Sequence, residues 1–272
     1  MKKLLLALSL AAAAPALAQS SAPTFTLSCE GRKPDHALQQ QQCELREMQL
    51  TAPPAGTPLT IDAVANGSIT VRGWEGATVR VRARVEGRAA TMEAARALAN
   101  AVKISTTGNT IRAARANNSL DNWEVGYEVL VPAQTSLTLK ATNGHIRIEN
   151  VEGAIRFETT NGSITLQGLA GDVRGKTTNG GITLSLTGTT WTRGGLDVST
   201  VNGGITWQIP ATYAATIMAR TVHGRVTAAL AAGARKSLLA HNLTATLGAG
   251  GPQLRVATVS GGISVTQEGS GQ

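Results

Sequence analysis

Much of this chain alternates between apolar and polar residues. Ile155, Phe157 and Thr159 are separated by Arg156 and Glu158, and Ile164 and Leu166 by Thr165. Earlier, Val79, Val81, Ala83 and Val85 alternate with Arg80, Arg82, Arg84 and Glu86. A period of two sends alternate side chains to opposite faces, so these stretches predict half-buried β-strands. One segment reads differently. Met92, Ala95, Leu98, Ala99 and Val102 share one helical face, and Thr91 can cap the first turn, which predicts a helix over 91–102.

The strands come with a recurring phrase. Thr142-Asn143-Gly144-His145-Ile146-Arg147-Ile148 is followed by Thr160-Asn161-Gly162-Ser163-Ile164-Thr165-Leu166. Thr178-Asn179-Gly180-Gly181-Ile182-Thr183-Leu184 and Val201-Asn202-Gly203-Gly204-Ile205-Thr206-Trp207 come next. Looser copies begin at Val222 and Val259, and an outlying early copy contains Asn66-Gly67-Ser68-Ile69. From Asn143 the steps are 18, 18, 23 and 21 residues to His223, then 37 to Ser260. The last step, near twice the unit, predicts a degenerate copy around 239–247. A period of about 20 residues marks a stacked repeat architecture.

Two all-β folds use this pattern. Asn-Gly can close type I′ hairpins in an antiparallel meander or barrel. It can instead turn the corner of a β-solenoid in which each repeat is one coil. Near-identical repetition favours the solenoid, because parallel stacking sets each residue above its own counterpart. Asn143, Asn161, Asn179 and Asn202 then form a ladder of side-chain amides, and Ile146, Ile164, Ile182 and Ile205 an aliphatic stack. The expected fold is therefore a β-solenoid with an N-terminal strand-and-helix cap. The cap covers 59–131, a soft boundary falls near Pro132, and the repeats of 132–272 continue from the cap. Asn117-Asn118-Ser119 reads as a loop within the cap.

The first residues carry a different message. Met1-Lys2-Lys3 precedes an apolar run that ends at Pro15-Ala16-Leu17-Ala18. This is the layout of a secretory signal peptide over 1–18, too short to span a bilayer. Cleavage after Ala18 leaves a lead-in over 19–58. No integral membrane segment is expected after cleavage. Export places Cys29 and Cys43, the two cysteines of the chain, in an oxidising compartment. A disulfide between them closes a small polar loop and stabilises by about 3 kcal/mol in the chain-entropy view. Metal binding is the rival reading, with only His36 nearby as a further ligand.

Composition narrows the class. Hydrophobic residues make up 42%, charged residues 15% and aromatic residues 3%, with 30 glycines in 272 residues. This excludes wholesale disorder and a coiled coil. The formal net charge is +8, and the span from Arg72 to Arg115 holds nine Lys or Arg against three Glu. Arg80, Arg82 and Arg84 share one strand face, a possible stripe for a polyanion such as an envelope polymer. The alternative is a solvated face that discourages edge pairing. Nucleic acid is not an expected partner of an exported protein.

Catalytic signals are sparse. His145 and His223 sit at repeat corners, and His241 stands alone. No HExxH, CxxC, P-loop or Gly-x-Ser-x-Gly phrase occurs. Asp172 and Asp197 precede Val173 and Val198 at what look like matching repeat positions, where Asp serves turns. A catalytic or calcium pair is the competing reading. Of the tryptophans, Trp191 is placed best to stack on a sugar, while packing on a coil corner explains all four. No metal, cofactor or catalytic residue is assigned.

The repeated Asn-Gly-x-Ile-x-Leu phrases resemble the bacterial putative-adhesin family of β-strand repeat proteins, a domain of unknown function. Gly171-Asp172-Val173, Gly195-Leu196-Asp197-Val198 and Tyr127-Glu128-Val129-Leu130-Val131-Pro132 leading into Leu137-Thr138-Leu139 are similar too. The resemblance covers 59–267. It implies a β-solenoid of the envelope or exterior, with no catalytic residues to carry over. The expected function is an exported, non-enzymatic, adhesin-like binding or structural module, periplasmic, cell-surface or secreted. Its partner is an envelope polymer, a glycan or another protein. A polysaccharide-active solenoid enzyme and a periplasmic scaffold or sensor are the alternatives.

Overall fold

The structure is a computed structural model that describes residues 23–31, 39–64, 66–116 and 122–269. The expected signal peptide, His36 and the 117–119 loop lie outside the described residues. The first part of the chain runs β1 (Gln40–Thr51), β2 (Leu59–Asp62), β3 (Ile69–Trp74), β4 (Thr78–Ala89), α1 (Met92–Ala101), β5 (Lys103–Ser105), β6 (Thr110–Ala114) and β7 (Trp123–Pro132). The repeats follow as β8 (Leu137–Asn143), β9 (Ile146–Glu149), β10 (Glu152–Asn161), β11 (Ile164–Gln167), β12 (Ala170–Asn179), β13 (Ile182–Ser185), β14 (Gly194–Asn202) and β15 (Ile205–Ile209). The chain ends with β16 (Ala215–His223), β17 (Val226–Ala229), β18 (Arg235–Leu239), β19 (Asn242–Leu247), β20 (Gln253–Ser260) and β21 (Ile263–Gln267).

These strands form two sheets. Sheet I has 10 strands in the order β1-β4-β7-β3-β9-β11-β13-β15-β21-β17. Sheet II has 11 strands in the order β18-β19-β16-β20-β14-β12-β10-β8-β2-β6-β5. Each repeat gives one strand to sheet II, turns at Asn-Gly, and gives the next strand to sheet I. Neighbouring repeats pair in parallel and in register, as in Asn143↔Asn161↔Asn179↔Asn202 and Ile146↔Ile164↔Ile182↔Ile205. Asn-Gly is thus a corner between sheets and not a hairpin tip. No break in either sheet falls at Pro132.

The order of levels departs from the chain order at both ends. β2–β3 lies between β6–β7 and β8–β9, so Asn66 sits on Asn143, a neighbour 77 residues away. At the other end β20–β21 is intercalated between β14–β15 and β16–β17. The 239–247 segment is no degenerate level. β18 and β19 pair antiparallel with each other, and β19 pairs antiparallel with β16, as a hairpin at the end of sheet II. The long step to Ser260 reflects that detour and return.

Three ladders hold the corners. Asn143 Nδ2 donates to Asn66 Oδ1 at 3.0 Å, Asn161 to Asn143 and Asn179 to Asn161 at 2.8 Å, and Asn202 to Asn179 at 2.9 Å. Behind them, the buried hydroxyls of Thr159, Thr177, Thr200, Thr258 and Thr221 each donate to a corner glycine carbonyl one level along, at 2.8–3.0 Å. The acceptors Gly144, Gly162, Gly180, Gly203 and Gly261 form the third ladder. A Cβ on Gly162 would lie 2.0 Å from the Gly144 oxygen, and one on Gly203 2.1 Å from that of Gly180. Glycine is required here by the close approach of backbones.

Between the sheets runs one apolar core. Ile69, Ile146, Ile164, Ile182, Ile205 and Ile263 line sheet I; Leu137, Ile155, Val173, Leu196 and Leu254 line sheet II. Full burial of each such side chain is worth about 1.5–3 kcal/mol. Sizes complement one another: the Phe157 ring occupies the slot that a Cβ on Gly175 would enter. The step of 23 residues leaves room for the loop over 186–193, whose Trp191 is buried and donates Nε1–H to the Gly171 oxygen at 2.8 Å. The open end beyond β7 is covered by β4, β1 and α1. Thr91 caps α1 by accepting from Ala94 N at 3.2 Å. Arg46 donates to the Ala99 and Val102 carbonyls at the helix C-terminus, at 3.0 and 2.6 Å.

Candidate functional site

The outward positions of sheet II repeat at fixed offsets before each corner. Five residues before the corner residue stand Thr138, Arg156, Arg174, Asp197, Arg255 and Met218, paired in that order across β8, β10, β12, β14, β20 and β16. Three residues before it stand Lys140, Glu158, Lys176, Ser199, Ala257 and Arg220. Strand pairing sets neighbours in each row about 4.8 Å apart. Cations outnumber anions on this face, and Arg174, Lys176, Asp197, Arg220 and Arg255 are exposed.

Two clefts lie on it. One of 390 Å³ is bounded by Lys140, Arg156, Glu158, Arg174, Lys176 and Asp197. The other, of 550 Å³, lies between Arg174 and Arg255, with Asp172, Asp197 and Gln253 around it. It opens where β14 carries Gly195 between Asp172 and Gln253. Asp172 is clamped by Arg156 and by Arg174 Nε at 3.1 Å. The hydrogen bond from Arg156, with that from Arg174, holds its carboxyl below the usual range despite some desolvation. Lys176 pairs with Glu158 at 3.1 Å.

The structure corrects several sequence readings. Asp172 and Asp197 are not equivalent: Asp172 faces Gly195, and Asp197 faces Arg174. Counting back from Asn179 and Asn202 gives this register, whereas the matching valines mislead by two residues. Both aspartates lie within strands and not in turns. Trp191 is buried and offers no sugar platform. His145 Nδ1 accepts from Ser163 N at 3.1 Å, so it bridges two corners. Among the described residues no group of three His, Cys, Asp or Glu could hold a metal ion.

Arg80, Arg82 and Arg84 do share one outer face, that of sheet I, but it is not an open cationic stripe. Arg82 pairs with Glu47 at 2.6 Å, and Arg84 pairs with the buried Glu86 at 2.6 Å and with Glu124 at 3.7 Å. Phe25 lies against Arg80 and Arg82, with its ring centroid 5.3 and 4.7 Å from their guanidinium carbons. Carboxylates of β1, β4 and β7 neutralise Arg82 and Arg84, and the Phe25 ring covers Arg80 and Arg82. The lead-in is joined to β1 by the Cys29–Cys43 disulfide, with Cα atoms 5.8 Å apart. The basic face of sheet II was missed because its residues are scattered in sequence. Aligning each repeat on its corner residue would have found it.

The Toastrack DUF4097 family model matches residues 58–266, nearly the whole two-sheet stack. The chain belongs to the Toastrack DUF4097 family. Among curated proteins, none is significantly similar to it. A putative cell adhesion protein from Clostridium sporogenes is similar in structure, with 11% identity and a TM-score of 0.45, over 84% of this chain and 100% of that one. A putative adhesin from Bacteroides fragilis has 12% identity and a TM-score of 0.40, over 83% and 97%. No helix among the described residues of this Toastrack chain is long and apolar enough to cross a membrane.

Proposed function

We propose that this Toastrack protein is an exported, non-enzymatic, adhesin-like β-solenoid that holds an anionic envelope polymer or glycan on the outer face of sheet II. The observation that carries this reading is the alignment of Arg156, Arg174 and, beyond Asp197, Arg255 in one cross-strand row, with Lys140, Lys176 and Arg220 at intervals in the next. A polymer with regularly spaced carboxylates or phosphates meets a surface with its own fixed spacing. Arginine forks suit both groups. The interspersed aspartates and glutamate keep unliganded cations from repelling one another. Export to the periplasm, the cell surface or the medium agrees with the Cys29–Cys43 bond.

A catalytic role for Asp172 is disfavoured by its two arginine partners, which stabilise the ionised form. The test is binding of the mature protein to heparin, alginate and purified envelope polymers at low and high salt. Arg174→Ala with Arg255→Ala is expected to weaken salt-sensitive binding at least tenfold, while Arg80→Ala leaves it unchanged. Binding insensitive to the double substitution overturns the reading. Hydrolysis or lyase products that vanish in Asp172→Ala and Asp197→Ala would replace it with the enzyme.

A further inference from the structure

The lead-in occupies sheet I as a ligand would. Residues 23–28 form no regular secondary structure and cross the outer faces of β3, β4 and β7. Most of their polar contacts run through the backbone. Thr26 N and Leu27 N donate to Glu128 Oε2 at 2.8 and 2.6 Å, and the Thr26 hydroxyl donates to Glu128 Oε1 at 3.2 Å. Arg72 donates to the Thr24 carbonyl at 2.7 Å, and Arg82 to the Leu27 carbonyl at 3.3 Å. Beside the Thr26 hydroxyl, Phe25 adds a side-chain signature, by lying against Arg80 and Arg82.

We propose that this face is a binding site for an extended peptide segment of another protein, and that the chain's own residues 23–28 hold it closed. Glu128 is 1% exposed although it points outward from its sheet. A buried carboxylate needs several donors, and the segment supplies them next to Arg72. Backbone recognition is indifferent to most side chains, so a foreign segment can make the same bonds. The chain's own segment also leaves the site incompletely filled. Among the described residues Arg72 Nε is buried without a hydrogen-bond partner, and a cleft of 290 Å³ remains among Thr26, Leu27, Ser28, Glu30, Thr70, Arg84 and Glu128.

The disulfide sets the competition. Cys29 anchors the end of the segment to β1, while residues 23–28 are held by non-covalent contacts, so they can lift as a flap. Tethering keeps their effective concentration high. A competitor therefore has to present an aromatic side chain followed by two free backbone N–H groups. This site lies on the sheet opposite the polymer face, so the two proposals stand or fall separately.

The test uses the full mature chain carrying Phe25→Ala and Thr26→Pro, which remove the ring and one N–H donor from the flap. The probe is a fluorescent peptide with the sequence of residues 22–29, serine replacing the cysteine. It is expected to bind this variant at least tenfold tighter than the wild type. Binding should fall when the peptide's phenylalanine becomes alanine, and when Arg80→Ala and Arg82→Ala are added to the receptor. These receptor changes fall at partly exposed positions, so circular dichroism can verify the fold. Equal binding to wild type and variant, or indifference to the aromatic residue, overturns the proposal. Sedimentation showing that the variant, mixed with the wild-type chain, captures the wild-type flap would also overturn the assignment to another protein.

Discussion

At the scale of residues, the corners at Asn161, Asn179 and Asn202 combine an exposed amide, a buried hydroxyl and a glycine, and these differ in what they contribute. The Asn161 amide bonds to both neighbours but is exposed, so water competes with it. The Thr177 hydroxyl is buried, and its loss leaves the Gly162 carbonyl without that partner. Thr177→Val, nearly isosteric, is therefore expected to cost about 1–2 kcal/mol, and Asn161→Ala about 0.5–1 kcal/mol. Urea unfolding of both variants checks that order. Gly162→Ala drives a Cβ into a carbonyl one level away and is expected to cost about 3 kcal/mol or prevent folding. Gly233→Ala, with nothing within 4 Å of its Cβ, should stay within about 0.5 kcal/mol of wild type in the same experiment. The asparagines and glycines were legible as repeated letters. The threonine ladder was not drawn from the sequence, although Thr recurs two residues before most corner residues.

At the scale of elements, the strands followed from alternation and the helix from its periodic face and Thr91. What secures α1 came from elsewhere. Arg46 on β1, fixed by Glu44 at 3.0 Å, satisfies two carbonyls at the helix C-terminus. Arg46→Ala is expected to destabilise by about 1–2 kcal/mol. Hydrogen exchange should localise the added opening to 92–105. The same logic explains why the arginine row of β4 is not an open stripe. Alternation puts Arg80, Arg82 and Arg84 on one face, but only the pairing of β4 with β1 and β7 brings Glu47 and Glu128 opposite Arg82.

At the scale of the molecule, the intercalated levels give the clearest expectation. β20 and β21 come last in the chain, yet each is paired on both edges. Their amides should exchange as slowly as those of β12 and β13, whereas β18, exposed along its length at the end of sheet II, should exchange fast. Rapid exchange throughout 253–267 would refute the intercalation. Alkaline pH probes the core from within. The chain has two tyrosines. Burial pushes the Tyr213 phenol up to about 12 and Tyr127 higher still. A folded-state value above the unfolded one favours the protonated form in the native state. The associated stability is whole below about pH 10, the unfolded value, and is lost as pH rises toward 12 and beyond. Tyrosinate absorbance of the native protein should therefore appear well above pH 10, the ordinary phenol value, with Tyr213 ionising before Tyr127.

By itself the sequence determined the strand periodicity, the corner phrase and the parallel register, because in-register stacking demands the same residue at each rung. It also held the two cysteines and the rows of charge, the latter hidden by unequal repeat lengths. Only the tertiary structure decided the order in which levels stack. Every corner offers the same glycine carbonyl and nearly every level a matching strand, so local pairing is degenerate. Thr221 could bond Gly203 as readily as Gly261 if chain order ruled. Covering the open ends selects the order instead, and with it which charges meet across strands and which remain on the surface.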